Sequence, residues 1–123
     1  MRFTLFLTLI TLSGCGWLTE PFRVASVDNV REQFRFAYEY DESLAAIAKQ
    51  ACSTQNAIDG ATSDDEKSQR RTQLLAIEQN YARVEADFNA KLRDAFEAKY
   101  VAPADVPSRA LGFEAMKRRE CGS

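Results

Sequence analysis

Glycine and proline, the residues that interrupt helices, leave two long stretches of this chain untouched. They stand at Gly14, Gly16, Pro21, Gly60, Pro103, Pro107, Gly112 and Gly122, and neither occurs in 22–59 or in 61–102. Windows of 38 and 42 residues without a breaker, holding most of the chain's eighteen alanines, favour helix over strand on propensity. Both are far longer than any ordinary strand.

Hydrophobic spacing agrees. In the first window Val27, Val30, Phe34, Ala37, Asp41, Leu44, Ala48, Ala51, Gln55 and Ile58 recur at alternating intervals of three and four, which lines one helix face. In the second, Leu74, Ile77, Tyr81, Val84 and Phe88 do the same, then shift to four-residue steps through Leu92, Phe96 and Tyr100, a stutter that locally unwinds a left-handed supercoil. The run Ser63-Asp64-Asp65-Glu66 has capping-box spacing and places three acids at the positive end of the helix dipole. The short link 58–62 makes the two helices antiparallel neighbours. After Pro103 and Pro107 a last short helix is expected over roughly 108–120, with Leu111, Ala115 and Met116 inward and Lys117, Arg118 and Arg119 at its negative end. The fold class is therefore all-α: a long antiparallel helical hairpin with a short C-terminal helix packed back on it.

One stretch runs against this pattern. Phe34, Phe36, Tyr38 and Tyr40 alternate with the period of a half-buried strand. A single strand has no partner for its backbone, so helix is retained. On a continuous helix Phe34 and Tyr38 fall on the seam with the second helix, whereas Phe36, Tyr40 and Ile47 fall elsewhere and need a cover. The cover is either the returning segment or a partner protein, and Phe36 and Tyr40 are the candidate partner-binding residues.

The first residues carry an address. A short basic start, Arg2, precedes the apolar run 3–12. Ten residues suit the apolar core of a signal peptide and are too few to span a hydrocarbon layer, which needs about 20. Leu12-Ser13-Gly14-Cys15 follows at once, and it resembles the lipobox of bacterial lipoprotein signal peptides position for position. The resemblance implies a signal peptide over 1–14 cleaved before Cys15, lipid on Cys15, a lipidated tether over 15–25 and a helical hairpin domain over 26–123. Because Gly16, not an aspartate, follows the cysteine, the implied location is the bacterial envelope at the periplasmic face of the outer membrane. Trp17, Leu18 and Phe22 then either rest at headgroup level or pack on the base of the bundle.

With Cys15 assigned to lipid, Cys52 and Cys121 remain, an even pair that reads as a disulfide in an exported chain. The bond requires the whole segment after Tyr100 to run back along the hairpin; free thiols and bonds between chains are the alternatives.

Much chemistry is excluded by composition. The chain has no histidine, which removes Ser/His and Cys/His catalysis and histidine-ligated metals. Sixteen basic residues against eighteen acidic ones, with the signs interspersed, give no footprint for nucleic acid. No phosphate loop, metal motif or calcium loop is present in the sequence. Acidic neighbours such as Asp64/Asp65 and Asp41/Glu42 diverge by about 100° on a helix and do not converge on a substrate. No catalytic residue, cofactor or metal is expected. The function expected is a non-enzymatic protein-interaction module of the envelope, a pilotin-like, exclusion or assembly factor; an envelope hydrolase inhibitor or a structural helical spacer is the alternative. Its partners are then the membrane, through lipid on Cys15, and another envelope protein.

Overall fold

The computed structural model describes residues 27–97 and 102–122; the signal segment 1–14, Cys15 and the tether 15–25 lie outside the described residues. Four helices follow in order: α1 (Val27–Gln33), α2 (Arg35–Gly60), α3 (Asp64–Glu97) and α4 (Phe113–Cys121). Among the described residues there is no strand. Helices α2 and α3 form the antiparallel hairpin, about 39 and 51 Å long at 1.5 Å per residue, and α4 returns mainly against α2.

The ends of the long helices follow from local chemistry. Gly60 closes α2, and the Ala61 N–H donates to the Ile58 carbonyl at 3.2 Å. The Ser63 hydroxyl accepts from the Glu66 N–H at 3.2 Å and so caps the start of α3 as its spacing predicts. The Glu66 carboxylate turns towards Arg70, 4.0 Å away, one helical turn on.

The aromatic stretch is helical, with a break that no glycine or proline announces. Phe34 separates α1 from α2, with φ −98° and ψ 7°. The break turns its ring wholly inward, with ring centres 6.2 Å from Phe36 and 6.0 Å from Phe96. Leu44, Ala48 and Ala51 of α2 and Tyr81, Phe88 and Leu92 of α3 are fully buried, so the core is thickest along the middle of the hairpin.

The return segment departs from expectation in a specific way. Helix α4 begins at Phe113, not near 108, because α3 captures the backbone of the preceding residues. The Asn89 side-chain oxygen accepts from the Ala110 N–H at 2.8 Å, and the Tyr81 hydroxyl donates to the Leu111 carbonyl at 2.8 Å. Leu111 thus turns its carbonyl inward and leaves its side chain 38% exposed, contrary to its expected inward position. Met116 is fully buried and Ala115 half-buried, as expected. Val106 and Ala110 seat the irregular part of the segment on the same core.

Tyr81 is consequently the fastening of the return segment. Its ring meets Phe113 edge-on at 5.1 Å, and burial, reinforced by the Glu85 charge, pushes its hydroxyl up to about 12. Tyr81→Phe is expected to cost about 0.5–1.5 kcal/mol, the net worth of one hydrogen bond. Tyr81→Ala should cost about 3–5 kcal/mol, as truncation of a buried aromatic does. Denaturant titration of both variants checks this; a Tyr81→Phe variant as stable as the natural chain would show that the hydroxyl contributes nothing.

Candidate interaction surface

Successive residues on α2 turn by about 100°, so side chains two apart diverge and those three or four apart share a face. One face carries Tyr38, Asp41, Ala45, Ala48 and Cys52; an adjoining face carries Phe36, Tyr40, Ile47 and Leu44. The return segment lies on the first. Tyr38 donates to the Asp105 carboxylate at 2.8 Å, Arg119 grips Asp41 through two bonds of 3.0 and 2.9 Å, and Cys52 is bonded to Cys121 with Cα atoms 6.6 Å apart. The second face belongs to α3: the Tyr40 ring stacks on Phe88 at 5.3 Å, and Phe36 meets Phe88 edge-on at 6.4 Å.

Phe34 packs against α3 through Phe96 as expected, but the assignment of the other three aromatics is reversed. Tyr38, expected on the seam with Phe34, is 43% exposed and lies beside the return segment. Phe36 and Tyr40, expected off the seam under the return segment or a partner protein, pack on α3. The reason is the break at Phe34, which takes that residue out of the register of α2, so a face counted onward from it lands on the wrong side.

Two clefts therefore flank the line where α2 and α3 touch. The return segment occupies one, leaving a pocket of about 300 Å³ beside Tyr38, Asp105 and Leu111. Along the other, Phe36, Tyr40 and Ile47 of α2 and Val84 of α3 remain half-buried. A groove of about 370 Å³ opens there, lined by Glu39, Tyr40, Ser43, Arg83, Val84 and Asp87, all of them residues of the two long helices. Lys91 lies over the Tyr40 ring, 5.0 Å from its centre. An amphipathic ring set between half-buried aliphatic groups, with charges of both signs at the rim, has the composition of a protein contact. Tyrosine is among the residue types on which binding energy concentrates.

The polar groups on the filled side are instead engaged with one another. Glu120 accepts from Arg119 at 2.8 Å and pairs with Lys49 at 3.2 Å. The Arg119 guanidinium, followed by the Lys49 ammonium, holds the Glu120 carboxyl below the usual range. The Asp41 carboxylate, aided by Glu120, makes Arg119 still harder to deprotonate, and the bond to Asp105 raises the Tyr38 hydroxyl. Such groups fasten α4; they do not converge on a reacting atom. Asp41 was legible as a carboxylate on an apolar seam, and the arginine that pairs with it comes from α4. Tyr81 carried a signal too, since a buried phenol needs a partner for its hydroxyl.

Among the described residues no group of three or more Cys, Asp or Glu stands close enough to hold a metal ion. Nor, among them, is any helix long and apolar enough to cross a membrane. Compared with known protein families, curated proteins and solved structures, the chain matches none of them.

The carboxyl of Glu120 titrates lower in the folded chain than in the unfolded one, where about 4.5 is usual. Its contribution is therefore complete above that value and lost as the pH falls through the folded one. Melting temperatures of the natural chain and Glu120→Gln, followed from about pH 7 to about pH 3, should converge at the acid end. Curves that stay parallel throughout would remove Glu120 from the fastening of α4.

Proposed function

We propose that this chain is a membrane-anchored bacterial envelope lipoprotein whose hairpin acts as a non-enzymatic protein-interaction module, of the kind represented by pilotins, exclusion factors and assembly factors. The observation that carries the reading is the tetrapeptide Leu12-Ser13-Gly14-Cys15 at the end of a ten-residue apolar run. Two physical arguments add to it. An exported protein matures where disulfides persist, and the two cysteines not assigned to lipid stand as a bonded pair. The open groove beside Tyr40 gives such a module a place to meet its partner.

The tether joins the hairpin at α1, at the pole opposite the turn 61–63. Tyr40 follows Val27 by thirteen residues across the break at Phe34, which puts it at most roughly 20 Å away. Lipid on Cys15 at the periplasmic face of the outer membrane would hold the Tyr40 groove near the membrane surface, and a partner meeting Phe36 and Tyr40 would be another envelope protein with a membrane-proximal part.

Mass spectrometry of the mature protein should find Cys15 at the N-terminus with a lipid increment, and Cys15→Ser should leave an uncleaved or a soluble species. An unmodified Cys15 inside an intact chain would overturn the anchor. For the contact, a photo-crosslinking side chain in place of Tyr40 should give one discrete adduct in intact envelopes. The same group in place of Leu75, which is 55% exposed on the outer side of α3, should give none; equal yields at both positions would overturn the groove as the contact.

A further inference from the structure

Helix α4 is held at two points with a hinge between them. Before it, Asn89 and Tyr81 fix Ala110 and Leu111 to α3. At its last residue, Cys121 is bonded to Cys52. Between these points Gly112 is extended, with ψ 159° and no neighbouring atom near the space a side chain would take.

What holds α4 otherwise is modest. Met116 is its one fully buried side chain, and its ion pairs to Asp41 and Lys49 are partly exposed, where such pairs add little. Nine residues are too few for a helix to persist alone in water. Of the largest fully buried side chains in the shared core, Phe34, Leu44, Tyr81, Phe88 and Leu92 all come from outside α4, and Met116 is the one that α4 adds. The two bridging cysteines are themselves only half-buried, within reach of a reductant while the hairpin stays folded.

We infer that the Cys52–Cys121 bridge is a redox latch: its reduction by a dithiol releases α4 about Gly112 and uncovers the alanine face of α2, while the α2–α3 hairpin remains folded. One thiolate of the dithiol attacks a bridging sulfur and forms a mixed disulfide; its second thiolate displaces the protein sulfur. Two electrons and two protons pass to the protein, Cys52 and Cys121 become thiols, and the dithiol becomes a disulfide. The face uncovered carries Ala45 and Ala48 beside Asp41 and Cys52, and the ring of Tyr81 loses Phe113 from its edge. In the latched state the occupant of this face is α4 itself.

Limited trypsin digestion of the full chain tests the latch, because Lys117, Arg118 and Arg119 place three cleavage sites within α4, and Arg70 and Arg83 in α3 supply internal reference sites. Reduction with dithiothreitol should speed cleavage in α4 by about tenfold or more, since a locally opened segment is cut in proportion to its open population. Cleavage at Arg70 and Arg83 should not change, and reoxidation should restore protection. The Cys52→Ser/Cys121→Ser double variant should behave as the reduced protein without any reductant. Unchanged cleavage of α4 would show that packing alone holds it. Faster cleavage at all sites together, or a double variant that fails to fold, would make the bond a staple of the whole hairpin. Protection that does not return on reoxidation would also overturn the latch.

Discussion

Two helices lying side by side bury only the strip along which they touch, and each has more apolar surface than that strip can take. The form of this protein follows from how a third segment is fastened into one of the two clefts left beside that strip. The fastening is the Tyr81 hydroxyl bonded to the Leu111 carbonyl, with Asn89 on the amide of Ala110. These bonds stop residues 110 and 111 from joining a helix and carry the chain across α3. They also start α4 where Met116 reaches the core and Cys121 reaches Cys52.

The two clefts then differ in kind. On the filled side, polar groups are matched internally: Tyr38 with Asp105, Asp41 with Arg119, Glu120 with Arg119 and Lys49. On the other side, the half-buried ring of Tyr40, with Val84, lines a groove whose rim carries Glu39, Arg83 and Asp87, and Phe36 is half-buried on the same face of α2. A surface that is apolar at its centre and charged at its edge suits docking better than catalysis, and the proposed module rests on that asymmetry. Were α4 to lift, a second face, with Ala45 and Ala48 at its centre, would open on the other side. The same small fold would then offer different surfaces according to the state of one bond.

Much of this was legible along the chain because it depends on neighbours in sequence. The empty windows between Gly and Pro positions gave the long helices, Gly60 and Ser63 marked the ends of the turn, and the parity of Cys52 and Cys121 pointed to their bond. What escaped depends on residues distant in sequence. The break at Phe34 has no glycine or proline to mark it, yet it changes which of Phe36, Tyr38 and Tyr40 faces α3. The late start of α4 is imposed by Asn89 and Tyr81, some twenty to thirty residues earlier, and no local propensity encodes it. Asp41 could be singled out as an anomaly on its seam, but nothing in its own helix named Arg119 as its partner.

In the oxidised protein, nuclear Overhauser contacts are expected from the Tyr38 ring to residues 105–107 and from the Phe113 ring to Tyr81, with none from residues 102–121 to the rings of Phe36 and Tyr40; this pattern places the return segment in one cleft and leaves the Phe36 and Tyr40 side open. Contacts from α4 or its preceding loop to Phe36 and Tyr40, with Tyr38 free of them, would place the segment in the other cleft and contradict it.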